Sequence, residues 1–132
     1  MSIYKLLIGG EIRDTINYSP STDENYEFQV VGIVRDDRGN ERYTEPLTIT
    51  GGAISMYILK NTDDNLGSAI KTYTVGSGLT ITSGSTGQFE LDIADTETAL
   101  LVRSEPYYVK TIITPSGGDS YGMPVFEMVV GN

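Results

Sequence analysis

The sequence predicts an all-β fold, an immunoglobulin-like β-sandwich with an N-terminal β-hairpin arm. Three observations predict it. Apolar residues recur with a period of two rather than 3.6 along most of the 132 residues. Clusters of Gly, Asn, Asp, Ser and Pro interrupt these runs at short spacing, as in a sandwich or barrel of short strands and unlike strand–helix–strand units. The hydrophobic content of 39% suffices for one core, and the absence of Cys means that no disulfide braces it.

The N-terminal segment differs in kind from the rest. Residues 3–8, Gly9-Gly10 and residues 11–18 read as a two-residue hairpin whose glycines supply positive φ. Tyr4, Leu6 and Ile8 alternate with Lys5 and Leu7, and Ile12, Ile16 and Tyr18 add an apolar set on the return. A lone hairpin is marginal in water, and an uncovered apolar edge invites aggregation. These six side chains are therefore expected to form an interface, with residues 1–20 an assembly arm that adds to a neighbouring subunit's sheet. Extension of the domain's own sheet is the alternative. Residues 21–132 form the sandwich, joined to the arm through Ser19-Pro20-Ser21-Thr22-Asp23.

Within the sandwich, Tyr26, Phe28, Val30 and Val34 line one strand, and Asp36-Asp37-Arg38-Gly39-Asn40 turns after it. Ile54, Met56 and Ile58 define a second strand, and Asn61-Thr62-Asp63-Asp64-Asn65-Leu66-Gly67 a second turn. In the strand over 70–75, Ile70, Thr72 and Thr74 share one face and Lys71, Tyr73 and Val75 the other. Leu79 and Ile81 follow, then a Gly/Ser loop over 83–87, then Phe89, Leu91 and Ile93 alternating with Glu90 and Asp92. Residues 94–102 are rich in Ala, Glu and Leu and predict one or two helical turns crossing between the sheets, ended before Pro106. Strands over 107–114 and 125–130 close the domain, and Tyr107 or Tyr108 holds the place of a tyrosine corner. The expected core is Phe28, Val30, Ile54, Met56, Ile58, Phe89, Leu91 and Ile93.

Composition narrows the chemistry. With neither His nor Cys, triads that need an imidazole base, thiol nucleophiles and thiolate or imidazole metal sites are disfavoured. Asp36, Asp37 and Asn40, like Asp63, Asp64 and Asn65, lack the alternating acids and distal Glu of a calcium loop and read as turn residues. Glu90, Asp92 and Asp95 read as a solvated strand face rather than a glycosidase pair. Gly76-Ser77-Gly78 and the glycines at 84 and 87 precede no Lys-Ser/Thr, so no phosphate loop is expected. A net charge of −9 repels nucleic acid, and no apolar run approaches the roughly 18 residues of a membrane-spanning helix. Tyr57, Tyr73 and Tyr108, near Lys60, Lys71 and Lys110, are expected on outer faces, as strand formers or as a glycan- or partner-binding surface. No enzymatic activity, metal or cofactor is expected.

The region 26–130 resembles the small immunoglobulin-like domains of tailed-bacteriophage virion proteins, and is most similar to the N-terminal domain of phage baseplate upper proteins. The residues carrying the likeness are Tyr26-Glu27-Phe28-Gln29-Val30, the turn 36–40, the run 47–60 with Leu47-Thr48 and Gly51-Gly52-Ala53 before a strand ending at Lys60, the strand 87–93 leading into Thr96-Glu97-Thr98-Ala99-Leu100-Leu101, and the last hairpin over 107–118. Baseplate upper proteins continue into further segments, whereas this sequence stops at Asn132, so a head-decoration or small tail or neck component fits equally. The resemblance implies a non-enzymatic structural protein of the virion, a capsid decoration or auxiliary protein or a tail or baseplate component. Its partners would be other capsid or tail subunits, assembled in the bacterial host cytoplasm. A carbohydrate-binding or adhesion module is the alternative; the N-terminus, without a secretory signal pattern, favours the first.

Overall fold

The computed structural model describes residues 3–10, 15–18, 24–93 and 106–130. Among the described residues, eleven strands form one continuous, folded-over sheet whose two halves face each other. The first half holds β1 (Ile3–Ile8), β3 (Glu24–Arg35), β8 (Gln88–Ile93) and β7 (Gly78–Ser83), in that order. The second holds β6 (Lys71–Val75), β5 (Ala53–Leu59), β9 (Pro106–Thr114), β11 (Phe126–Val130) and β2 (Thr15–Tyr18). Off this path, β4 (Glu41–Pro46) pairs with β3 and β10 (Tyr121–Gly122) with β9. A short parallel bridge, Thr74 to Gly78 and Val75 to Leu79, joins the halves through β6 and β7. With β1, β3, β8 and β7 as strands A, B, E and D and with β5, β9 and β11 as C, F and G, this is the immunoglobulin-like sandwich.

Alternation builds the core. In β5, β8, β9 and β11, alternate residues are buried, and each strand gives one apolar row to the space between the sheets. All eight residues expected in the core are there, at no more than 2% exposure. Phe28 is central: its ring stacks on Phe89 of the same sheet at 5.2 Å and meets Phe126 of the facing sheet at 5.7 Å. Across the top, the chain leaving β4 seals the core with Ile49, whose N–H donates to the Gly84 carbonyl. Gly87 closes this junction in a left-handed conformation (φ 70°); a Cβ there would lie 2.7 Å from the Leu47 carbonyl oxygen and 2.8 Å from that of Val30.

The N-terminal segment departs from expectation. Gly9 and Gly10 do take positive φ, 62° and 80°. Yet β1 and β2 pair with different partners: β1 runs antiparallel to β3, and β2 runs parallel to β11 at the opposite end of the strand order. The segment thus crosses from one sheet to the other, and Leu6, Ile8 and Ile16 join the common core. The domain therefore begins with β1, and the division at residue 20 does not separate an arm from a sandwich. The physical reason is that an apolar row on each strand gains more from two waiting sheet edges than from pairing with the other.

Two further differences concern local structure. The strand β4 was not anticipated. Tyr73, expected outside, is 2% exposed in the core, with the Lys71 ammonium 5.6 Å from its ring centre. The helical turns expected over 94–102 lie outside the described residues. Of the two tyrosine-corner candidates, Tyr107 is buried and Tyr108 faces outward, half-buried.

Thr111 is fully buried on the inner face of β9, and its Oγ1 has no hydrogen-bond partner among the described residues. An unpaired buried hydroxyl costs about 1–3 kcal/mol. Thr111→Val keeps the shape and removes the hydroxyl, so it is expected to stabilise the domain by about 1 kcal/mol, read from the midpoint of urea unfolding at unchanged slope. Conversely, deleting residues 1–10 strips β1 from β3 and takes Leu6 and Ile8 from the core. Loss of the cooperative unfolding transition is expected, measured by circular dichroism.

Candidate functional site

Of the six side chains expected to form an interface, Leu6, Ile8 and Ile16 are buried in the domain's own core, and Tyr4 packs against it. Tyr4 meets Tyr121 edge to face at 4.9 Å, which fastens the start of β1 to the β9–β10 hairpin of the facing sheet. Ile12 and the side chain of Tyr18 lie outside the described residues. The structure thus assigns these described positions to the domain's own packing, not to a partner, because their apolar faces are already covered.

Where β1 and β2 diverge, a cleft of about 430 Å³ opens, lined by Ile8, Gly9, Ile16, Asn17, Asn25, Tyr26 and Glu27. The Tyr26 hydroxyl donates to the Asn17 carbonyl at 2.8 Å and ties β3 to β2 across it. Among the described residues its lining offers amides, a phenol and one carboxylate, a set able to hydrogen-bond and without a nucleophile–base pair.

The most exposed large apolar side chains among the described residues include Val34, at 52%, and Tyr43, at 47%. Both belong to the hairpin made by the far half of β3 and by β4, which runs on past the end of β8. Register sets Ile33 opposite Tyr43 and Val34 opposite Arg42, after an irregularity between Val31 and Ile33. Asp36 builds the tip. Its Oδ1 accepts the backbone N–H groups of Arg38 and Asn40, each at 2.9 Å, and the Asp36 N–H donates to the Asn40 carbonyl. The Asn40 amide, foremost, holds the Asp36 carboxyl below the usual carboxylate range against the opposing effect of burial, with a lesser contribution from the Arg38 amide. The second acidic turn is similar in kind: Asp64 Oδ2 accepts the Asn61 N–H at 3.0 Å, and Asn65 Oδ1 accepts the Ser68 hydroxyl at 3.2 Å. Among the described residues, no three His, Cys, Asp or Glu are grouped so as to hold a metal ion.

The outer face of the first sheet is acidic. Glu27 and Glu90 stand directly opposite each other on β3 and β8, and Asn25 opposite Asp92. The Asn25 amide donates to Asp92 Oδ1 at 2.5 Å and to Glu90 Oε2 at 3.3 Å. Directly opposed like charges destabilise a strand pair. Asp95 lies outside the described residues. On the outer face of the second sheet, Tyr57 stands opposite Lys110, with Tyr108 half-buried nearby on β9. Tyr73 is absent from that face, so the expected tyrosine surface is reduced to two residues.

No protein-family model and no curated protein matches the chain. Among solved structures, similarity extends to a chain from work on T cell specificity and activation by the bacterial superantigen toxic shock syndrome toxin-1. The identity is 10%, the coverage 98% of this chain and 99% of that one, and the TM-score 0.49. Murine CRIg gives 11% identity over 100% and 99% of the chains, with a TM-score of 0.43. AggA, the major subunit of aggregative adherence fimbriae type I of Escherichia coli, gives 9% over 98% and 95%, with a TM-score of 0.38. The fold assignment rests on the strand order and register given above.

Asp36 supplies a test of the tip. Its carboxylate form is favoured by the folded turn, so the stabilisation is complete above the ordinary aspartate range and is lost as pH falls through the depressed folded value. Hydrogen exchange at the Arg38 and Asn40 amides is expected to lose protection on that acid side. Asp36→Ala removes the protection at every pH while the sandwich stays folded, and Asp36→Asn keeps acceptors but abolishes the pH dependence.

Proposed function

We propose that this chain is a non-enzymatic structural protein of a tailed-phage virion, a capsid decoration or auxiliary protein or a tail or baseplate component that works through protein–protein interfaces. The observation that carries the reading is the β3–β4 hairpin, which holds Val34 and Tyr43 in solvent beside Arg38 and Arg42. Tyr and Arg are enriched in protein contact surfaces, and a turn fixed by its own Asp reduces the ordering cost of contact. The phage assignment draws on the resemblance over 26–130, and the partners it implies are other capsid or tail subunits. A charge of −9 opposes nucleic acid as the ligand.

Mass spectrometry of virions purified from the phage that encodes the chain tests this reading. The chain is expected in the particles, at a copy number scaled against the major capsid protein. Copies on the order of hundreds identify decoration, and about a dozen identify neck or baseplate, following the symmetry of each structure. Absence from purified particles, with the chain abundant in the lysate, rejects the virion role.

A further inference from the structure

A trough starts at the side of the sandwich, where β1 and β2 diverge, and runs onto the outer face of the first sheet. The cleft of about 430 Å³ continues, past Gly9 and Glu27, into one of about 180 Å³ walled by Gly10, Gln29 and Gln88. Beyond Gln88 a third, of about 190 Å³, reaches Glu90 and Thr82. Glu27 lines all three. The walls come in turn from the end of β1, β3, β8 and β7, so the trough spans three strand spacings, roughly 15 Å.

The polar groups along it are set as donors and acceptors. Gln29 Nε2 donates to the Thr86 carbonyl at 2.9 Å, and Gln88 Oε1 accepts the Thr86 hydroxyl at 2.9 Å. Each bond uses one end of a carboxamide and fixes what the other end offers. Gln29 and Gln88 stand directly opposite each other on β3 and β8. They therefore present an acceptor, Gln29 Oε1, beside a donor, Gln88 Nε2, and neither atom has a partner among the described residues. The Glu27 carboxylate, on the same face two residues before Gln29, likewise has none there.

A hydroxyl both donates and accepts, so neighbouring hydroxyls on one ring satisfy this set, whereas an ammonium can only donate. No Lys or Arg is among the described residues lining the trough, and Glu27 and Glu90 oppose an anionic ligand. At the wide end, Ile8, Ile16 and Tyr26, whose hydroxyl is tied to Asn17, give an apolar floor suited to the C–H face of a sugar ring.

We propose that this trough binds a neutral oligosaccharide, with one ring on the apolar floor and hydroxyls of the next bonded to Glu27, Gln29 and Gln88. The site lies on the sheet opposite Tyr57 and Tyr108, and it does not depend on the virion reading.

Nuclear magnetic resonance titration of the isotope-labelled full chain with maltotriose, cellotriose, chitotriose and trilysine tests it. Saturable shifts of the Gln29 and Gln88 side-chain amide signals are expected with at least one of the three saccharides, half-complete at about 1 mM or below. Gln29→Ala with Gln88→Ala changes only surface groups and is expected to weaken binding about tenfold or more, through the loss of two hydrogen bonds. Lys110→Ala, on the second sheet, is expected to bind as wild type does. No saturable shift with any of the three saccharides overturns the inference, and so does a double variant that binds like wild type. Shifts centred on Tyr57 and Lys110 overturn it too, as do shifts with trilysine alone, which assign the face to a cationic partner. Detection in virions is read independently: a chain found in particles that binds none of the saccharides loses this inference and keeps the virion role.

Discussion

Phe28 sits where the two sheets must be held in register, and the rest of the domain is arranged around the strand that bears it. Its ring contacts Phe89 beside it and Phe126 across the sandwich, so one side chain couples three strands drawn from both sheets. The same strand pairs along one edge with β1 and along the other first with β8, then with β4. That change of partner is possible because Gly87 lets the backbone of β8 begin close against the Val30 and Leu47 carbonyls. The core and the projecting hairpin are consequently parts of one strand. The finger emerges from the most constrained element of the fold rather than from a loop.

The N-terminal strands answer a second constraint. A sandwich without disulfides has nothing covalent to hold its sheets together along the side where they are not bridged. On one side the short β6–β7 ladder does so. On the other, the chain itself spans the gap, giving β1 to the first sheet and β2 to the second, while the Tyr26–Asn17 hydrogen bond and the Tyr4–Tyr121 contact link the sheets directly. Leu6, Ile8 and Ile16 carry the apolar content that looks like an interface in the sequence because the same property suits an interface and a sheet edge.

Where a strand lies wholly within the sandwich, its sequence declares it. Met56 and Ile58, or Phe89 and Leu91, alternate with polar residues because one side of each strand meets water. Legibility fails where local pattern and tertiary position part. Val34 continues the stripe of Phe28 and Val30, yet it is exposed because β3 outruns the facing sheet. Glu41-Arg42-Tyr43-Thr44-Glu45-Pro46 has no apolar alternation, since β4 is held mainly by its backbone pairing to β3. Gly9-Gly10 signals a turn correctly but cannot say which edges the two strands will reach. At the candidate surface, the Asp36 turn was readable from its residue types, while the opposition of Glu27 and Glu90 depends on strand register across some sixty residues of chain and was not.

Two features of the structure are unfavourable to the isolated domain, and they differ in what could relieve them. The Thr111 hydroxyl is sealed in the core, where nothing from outside the molecule reaches it; its cost is fixed once the chain folds. The Glu27–Glu90 opposition lies on an outer face and is open to any cation that approaches. Against a total stability of about 5–15 kcal/mol, each is tolerable. But only the second changes with the surroundings, and it changes in the direction of greater stability when positive charge is supplied.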